Sequence, residues 1–103
     1  MIVQINKSLK KLNTFGIDQK AERLIWAHSA EEILNYVRHH GAPALVLGGG
    51  SNMLLTQDVT GDVLKVDIHG RKAVFENDHE VHIRFCAGEN WHDIVLWTLN
   101  QGL

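Results

Sequence analysis

The clearest hydrophobic pattern of the chain lies at residues 80–87, where apolar and polar residues alternate. A period of two is typical of a β-strand with one buried face. Apolar-rich runs predict four further strands, at residues 22–27, 44–47, 62–68 and 72–76. The run at 44–47 contains no polar residue, so we expect that strand to be buried on both faces.

Two other segments carry apolar residues at the helical period and begin with a capping residue. Ser29 and Glu32 match a capping box in front of a helix over 30–40. Asn90 is a suitable N-cap for a second helix over 91–101. The predicted apolar stripe of this second helix consists of Trp91, Ile94, Val95 and Leu99.

The predicted elements follow the order β-α-β-loop-β-β-β-α. The first strand–helix–strand unit implies a parallel pair of strands joined by a crossover, and Asn77 with Asp78 predicts a hairpin turn between the last two strands. Residues 1–20 are interpreted as an irregular N-terminal arm, and residues 21–103 as one domain. The pattern therefore predicts an α+β, α/β-like fold with a small mixed sheet and flanking helices.

Composition narrows the classes of function. A length of 103 residues suits one domain, and ten Lys and Arg residues stand against twelve Asp and Glu residues. The chain lacks the basic excess that a nucleic-acid or anionic-membrane binder usually shows. The single Cys86 excludes an intrachain disulfide. No apolar run is long enough to span a bilayer, and the first residues show no secretory signal pattern. We expect a cytoplasmic protein.

The seven histidines do not form a recognisable metal-binding motif. His79 and His82 have the wrong spacing for one helix face, and Cys86 has no cysteine partner. No nucleophile of the chain has an evident base beside it. We therefore expect no metal site and no complete catalytic centre.

A run of three glycines, Gly48 to Gly50, follows the apolar strand at 44–47. Glycines permit a positive φ and the close approach of another group to the main chain, and successive N–H groups can converge on an anion. The run is not a P-loop, and Met53 stands where the dinucleotide fingerprint needs its third glycine. Two interpretations stay open: a phosphate or pyrophosphate site that uses no lysine, and a tight connection without a ligand.

Four motifs in the same order resemble the UDP-N-acetylenolpyruvoylglucosamine reductase family. They are Leu-Asn-Thr-Phe-Gly-Ile-Asp at 12–18, Ser-Ala-Glu-Glu at 29–32, Leu-Val-Leu-Gly-Gly-Gly-Ser-Asn-Met-Leu-Leu at 45–55 and Ala-Gly-Glu-Asn-Trp-His at 87–92. The resemblance implies an oxidoreductase of bacterial peptidoglycan synthesis, in which NADPH reduces FAD and the flavin reduces the enolpyruvyl group of a UDP-sugar to give UDP-N-acetylmuramate. It also implies that residues 21–103 are the first subdomain of an FAD-binding domain of the vanillyl-alcohol-oxidase type.

The resemblance places the FAD pyrophosphate at the glycine run. The implied cofactor-binding residues are Leu47, Gly48, Gly49, Gly50, Ser51, Asn52 and Met53. Asn13 and Thr14 belong to a family signature near the flavin domain. Some relatives of this fold attach FAD through a histidine beside the glycine run, and Ser51 with Asn52 stands there instead, so we expect non-covalent FAD.

The resemblance covers only the first part of such a reductase. Its catalytic arginine, serine and glutamate and its substrate domain would lie beyond residue 103, so we expect no catalytic residue and no activity in this chain alone. An apolar face meant for the second subdomain would be exposed and would favour self-association. Two alternatives stay open: a self-standing module for another phosphorylated ligand, and the subdomain of another FAD-dependent oxidoreductase.

Overall fold

The computed structural model describes residues 1–50 and 53–103, which form a mixed α+β fold. Within these residues the strands are β1 (Ile2–Ser8), β2 (Lys20–Ala27), β3 (Leu45–Leu47), β4 (Val59–Val66), β5 (Arg71–Glu76) and β6 (Val81–Phe85). The α-helices are α1 (Ala30–His40) and α2 (Trp91–Asn100). The predicted fold class is confirmed. None of the helices in the described ranges has the length and apolar character needed to cross a bilayer.

Four strands form one mixed sheet in the order β1-β2-β4-β3. Strands β2 and β3 both run parallel to β4, and β1 runs antiparallel to β2. The prediction that β2 and β3 run in the same direction is correct, but they are not paired with each other. Strand β4 lies between them, and the hydrophobic pattern of a strand does not specify which strands are its neighbours.

The interpretation of residues 1–20 as an irregular arm is wrong for β1. This strand pairs with β2 from Ile2 opposite Trp26 to Ser8 opposite Lys20. The indole nitrogen of Trp26 donates a hydrogen bond of 2.9 Å to the Gln4 side chain. The apolar residues of β1, among them Ile5, are largely exposed. Burial therefore imposes no alternation of apolar and polar residues by which the sequence would identify this strand. The division of the chain at residue 21 stays a prediction.

The sheet has a buried cluster on each face. One cluster comprises Leu9, Ala21, Leu24, Leu47, Leu55 and Val63, and the other comprises Ile25, Ala27, Tyr36 and Leu64. Tyr36 is contributed by α1 and is only 2% exposed. Its hydroxyl donates a hydrogen bond of 2.5 Å to Asp62. Burial and this carboxylate raise the pKa of Tyr36 to about 12, so α1 is fixed to β4 by a polar contact as well as by packing.

Strand β3 is less buried than its sequence predicts. It is three residues long and lies at the edge of the sheet. Leu47 is fully buried, but Val46 is 55% exposed, so the prediction of burial on both faces is wrong. The reason is the position of α1, which packs Tyr36 and Ile33 against Ile25 and Leu64 and leaves Val46 uncovered.

Strands β5 and β6 form a separate antiparallel hairpin. The Asn77 side chain accepts hydrogen bonds of 2.8 Å from the backbone N–H groups of His79 and Glu80. The predicted hairpin and its turn are confirmed.

Both helices begin at the predicted caps. The Ser29 hydroxyl accepts a hydrogen bond of 3.1 Å from the Glu32 N–H, and the Asn90 side chain accepts one of 3.1 Å from the Asp93 N–H. The Glu32 carboxylate accepts from the backbone N–H of His28 at 2.8 Å. Helix α2 ends at Asn100, one residue before the predicted end.

Helix α2 packs on the hairpin rather than on the four-stranded sheet. The Trp97 ring meets Phe85 edge to face at 6.0 Å, and the Arg71 guanidinium lies 5.1 Å from the centre of the same ring. The predicted apolar stripe is therefore not the buried face. Trp91 is 75% exposed, and Val95 and Leu99 are also exposed.

A short junction connects the hairpin to the sheet. The N–H of Gly88 donates to the Ile68 carbonyl at 2.8 Å, and the N–H of Cys86 donates to the Gly70 carbonyl at 2.9 Å. A Cβ atom on Gly88 would lie 2.4 Å from the Ile68 nitrogen. The two backbone segments therefore approach each other more closely than a side chain at Gly88 would allow.

Candidate functional site

The glycine run leaves the sheet at the carboxyl end of β3. Strands β2, β3 and β4 are parallel, so their carboxyl ends lie along one edge of the sheet. Ligands of open α/β sheets bind outside this edge. We therefore take this edge as the candidate functional site.

Gly50 fixes the end of the glycine run to the N-terminal part of the chain. Its φ is +69°, and a Cβ atom would lie 2.2 Å from the Leu12 carbonyl oxygen and 2.8 Å from the Asn13 Cα. Its carbonyl accepts a hydrogen bond of 3.2 Å from the Thr14 N–H. Both the backbone conformation and the close approach require glycine at position 50.

Asn13 shapes the turn against which Gly50 lies. Its side chain is buried, and its amide nitrogen donates to the carbonyls of Leu9 at 2.8 Å and Ile17 at 3.1 Å. Its side-chain oxygen accepts from the Ile17 N–H at 3.1 Å. The signature pair therefore has two distinct structural roles, since Asn13 closes the turn and Thr14 contacts Gly50.

Gly48 and Gly49 have a different environment from Gly50. Among the described residues, no atom lies within 4 Å of a Cβ atom placed on either glycine, and neither has a φ in the left-handed region. Neither packing nor backbone conformation therefore explains glycine at these two positions. The tight-connection interpretation accounts for Gly50 only.

Of the remaining candidate cofactor-binding residues, two belong to or pack against the hydrophobic core and two lie outside the described residues. The Leu47 side chain is fully buried, so only its main chain can face a ligand. Met53 packs against the same core cluster and lines a cavity of about 290 Å³ near the start of β3 and β4. Ser51 and Asn52 lie outside the described residues.

Lys65 is a site residue that sequence reasoning missed. It lies in β4 opposite Leu47 of β3, and its ammonium group donates a hydrogen bond to the carbonyl of Gly48. Burial lowers the pKa of Lys65, and the nearby Asp67 carboxylate opposes this effect. Only the pairing of β4 with β3 reveals the contact, because the two residues are 17 positions apart.

A group of histidines and carboxylates lies at the same edge, after β2 and β4. The Asp67 carboxylate contacts His69 at 2.6 Å and His28 at 3.3 Å. His69 also lies 3.6 Å from Glu89, and Glu89 accepts a hydrogen bond of 2.9 Å from the Gly70 N–H. Within the described part of the chain, no set of three such side chains has the geometry of a metal site.

Contacts within this group shift the pKa values of His69, Asp67 and Glu89. Hydrogen bonds to Asp67 and Glu89 raise the pKa of His69. The pKa of Asp67 is lowered chiefly by His69, and that of Glu89 chiefly by the Gly70 N–H. His69 therefore lies between two carboxylates that favour its charged form, and it connects the end of β4 to the segment before α2.

The chain is similar in sequence to known proteins. Residues 21–103 match a family described as FAD binding domain. UDP-N-acetylenolpyruvoylglucosamine reductase of Flavobacterium johnsoniae is 45% identical over 102 residues, which are 98% of this chain and 30% of that protein. The Pseudomonas aeruginosa reductase is 43% identical over 98% of this chain and 31% of its own length. The Escherichia coli reductase is 40% identical over 96% of this chain and 30% of its own length.

The similarity extends over nearly the whole chain, which spans about 30% of the length of these curated relatives. The resemblance carried by the four motifs is confirmed. The match at residues 21–103 includes both the glycine run and Lys65. The chain therefore belongs to the FAD binding domain family.

Proposed function

We propose that this chain holds the pyrophosphate of non-covalently bound FAD on the main chain of its glycine run. The observation that carries the proposal is the open backbone at Gly48 and Gly49, at the carboxyl edge of the sheet, in a member of the FAD binding domain family. The proposed cofactor-binding residues are Leu47, Gly48, Gly49, Gly50, Ser51, Asn52 and Met53.

The described residues fit the charge of the cofactor. A pyrophosphate is anionic, and backbone N–H groups and a lysine ammonium are the donors that anions prefer. Gly48 and Gly49 leave room for a phosphate to approach the main chain, and Gly50 fixes the loop to the turn around Asn13. Bound FAD supplies hydride transfer, and the residues of this chain bind and orient it.

We further propose that the chain is the flavin-binding part of a cytoplasmic reductase that forms UDP-N-acetylmuramate in peptidoglycan synthesis, with NADPH as the reductant. The name of the curated relatives and their sequence identity to this chain support this proposal. Because those relatives are about three times as long, we assign the UDP-sugar site, the NADPH site and the catalytic residues to the portion that this chain does not span. The chain alone is then inactive.

A titration with FAD tests the cofactor proposal directly. We expect saturable quenching of flavin fluorescence and a higher melting temperature in the presence of FAD. Gly49→Val places a branched side chain in the space proposed for the pyrophosphate, so it should weaken FAD binding about tenfold or more, equivalent to about 1.4 kcal/mol. The melting temperature of the free variant should stay close to that of the wild type, because no atom of residues 1–50 or 53–103 lies within 4 Å of a Cβ atom there.

Ala73→Val provides the matched control, because Ala73 lies exposed on β5, away from the glycine run. This variant should bind FAD as the wild type does. An equal loss of folding and binding in Gly49→Val would instead support the tight-connection interpretation. Tighter binding of a mononucleotide than of FAD would support the self-standing module.

A further inference from the structure

We propose that Lys65 is the cationic group of the anion site, and that its ammonium pairs with a phosphate seated against Gly48 and Gly49. The proposal deepens the function above, on which it rests for the identity of the ligand as FAD. It differs from the expectation of a phosphate site that uses no lysine. Three observations support it: the position of Lys65 in the sheet, the partners of its ammonium group and the open space beside the loop.

The sheet register brings Lys65 to the glycine run. Lys65 is paired with Leu47 on one side and with Trp26 on the other. Directly paired residues of neighbouring strands project from the same face of a sheet, so Lys65 lies on the face that buries Leu47. Its stem starts beside the last residue of β3, and its ammonium group reaches the first glycine after that strand.

The charge of Lys65 is not neutralised by a direct ion pair. Across residues 1–50 and 53–103, no carboxylate lies within 4.0 Å of its ammonium nitrogen. Asp67 acts on Lys65 only from farther away, and its two oxygens contact His28 and His69. The Gly48 carbonyl is thus a neutral acceptor for a partly buried cation.

A phosphate would complete this arrangement. A lysine ammonium has three N–H donors, and the Gly48 carbonyl uses one of them. Partial burial makes an unpaired charge costly, and an anion removes that cost. The space next to Gly48 and Gly49 is open, so a phosphate placed there can accept from Lys65 and from the loop together.

A purely structural role for Lys65 makes a different prediction. If the ammonium only holds the Gly48 carbonyl in place, an uncharged donor should substitute for it. Lys65→Gln keeps an N–H donor and removes the charge, whereas Lys65→Arg keeps the charge. Lys72→Gln is the matched control, because Lys72 lies exposed on the β5–β6 hairpin.

The experiment is a titration of the ¹⁵N-labelled chain with inorganic pyrophosphate, followed by NMR. We expect saturable shifts of the Gly48, Gly49 and Lys65 amides. Lys65→Gln should weaken binding roughly tenfold or more, as expected for the loss of a charge-assisted hydrogen bond. The affinity of Lys65→Arg for pyrophosphate should stay within about threefold of the wild-type affinity, and Lys72→Gln should bind as the wild type does. Added salt should weaken binding less in Lys65→Gln than in the wild type.

Two results would overturn the proposal: unchanged pyrophosphate affinity in a folded Lys65→Gln variant, or no shift of these amides in the wild type. A parallel titration with FAD separates this inference from the proposed function. If pyrophosphate binds through Lys65 but FAD does not bind, the anion site stands and the cofactor assignment fails. If FAD binds equally to the wild type and to Lys65→Gln, the role of Lys65 is refuted and the cofactor assignment stands.

Discussion

Three neighbouring glycines that look equivalent in the sequence have two different explanations in the structure. Gly50 is required by its positive φ and by the backbone of Leu12 and Asn13. Gly48 and Gly49 are required by neither. At the residue scale, Gly50 differs from its two neighbours because of a contact between the loop and residues far earlier in the chain.

Gly50→Ala should therefore destabilise the free protein, whereas Gly49→Ala should not. A left-handed conformation costs a residue with a Cβ about 1–3 kcal/mol, and displacement of the Leu12 carbonyl adds to that. We expect Gly50→Ala to lower the free energy of unfolding by more than about 2 kcal/mol, and Gly49→Ala to change it by less than about 1 kcal/mol. Urea denaturation of the two variants measures the difference; similar values would show that the glycine run has one role throughout.

Residues with local roles were predictable, and residues with long-range roles were not. Ser29 and Asn90 cap their helices through contacts three residues away, which the sequence displays directly. Lys65 reaches Gly48 only because β4 pairs with β3. The hydrophobic pattern contains no information about that pairing, so Lys65 could not be found from it.

At the scale of elements, the sheet and the hairpin are joined by a junction that His69 stabilises electrostatically. His69 lies between Asp67 at the end of β4 and Glu89 before α2. Its raised pKa means that the folded protein binds the imidazole proton more tightly than the unfolded chain does. The stabilisation is complete below the unfolded pKa of about 6.5 and is lost as the pH rises through the folded value.

His69→Gln should thus lower the melting temperature at pH 5.5 more than at pH 9. The lowered pKa of Asp67 limits this stabilisation at acid pH. The Asp67 carboxylate contributes its full stabilisation above its unfolded pKa of about 3.8, and this is lost as the pH falls through the folded pKa. Melting curves at several pH values measure the effect, with His79→Gln as the control because His79 lies exposed in the hairpin turn. An equal loss at pH 5.5 and pH 9 would contradict an ionic role for His69.

Elements whose ends are marked by capping or turn residues were predicted well, and the edge strands of the four-stranded sheet were not. Helix α1 and the β5–β6 hairpin match their predictions because caps and turn residues mark their ends. Strand β1 was missed, and the burial of β3 was overestimated. Both are edge strands of the sheet, where exposed apolar residues do not follow the alternation that burial imposes.

The whole molecule is extended, with dimensions of 50 × 32 × 17 Å and a radius of gyration of 16.2 Å. A compact chain of about 100 residues has a radius near 13 Å. The difference arises because the sheet and the hairpin do not share a core. As a result, the outer face of α2, formed by Trp91, Val95 and Leu99, remains exposed.

We predict that this outer face of α2 causes reversible self-association. Exposed apolar surface of this kind favours contact between molecules, so the sedimentation coefficient should rise with protein concentration. The double variant Val95→Lys with Leu99→Lys should remain monomeric at the same concentrations. Val3→Lys, at an exposed position of β1, is the control and should associate as the wild type does. A wild-type chain that sediments as a monomer throughout would refute the prediction.

The position of β4 in the middle of the sheet has a consequence for synthesis. Translation delivers β1, α1 and both outer parallel strands before it delivers the strand that joins them. Until residue 66 has left the ribosome, β2 and β3 have no common neighbour, and the entropy of closing the intervening loops is not offset by pairing. The parallel part of the sheet therefore forms only once β4 is available, whereas β1 can pair with β2 earlier.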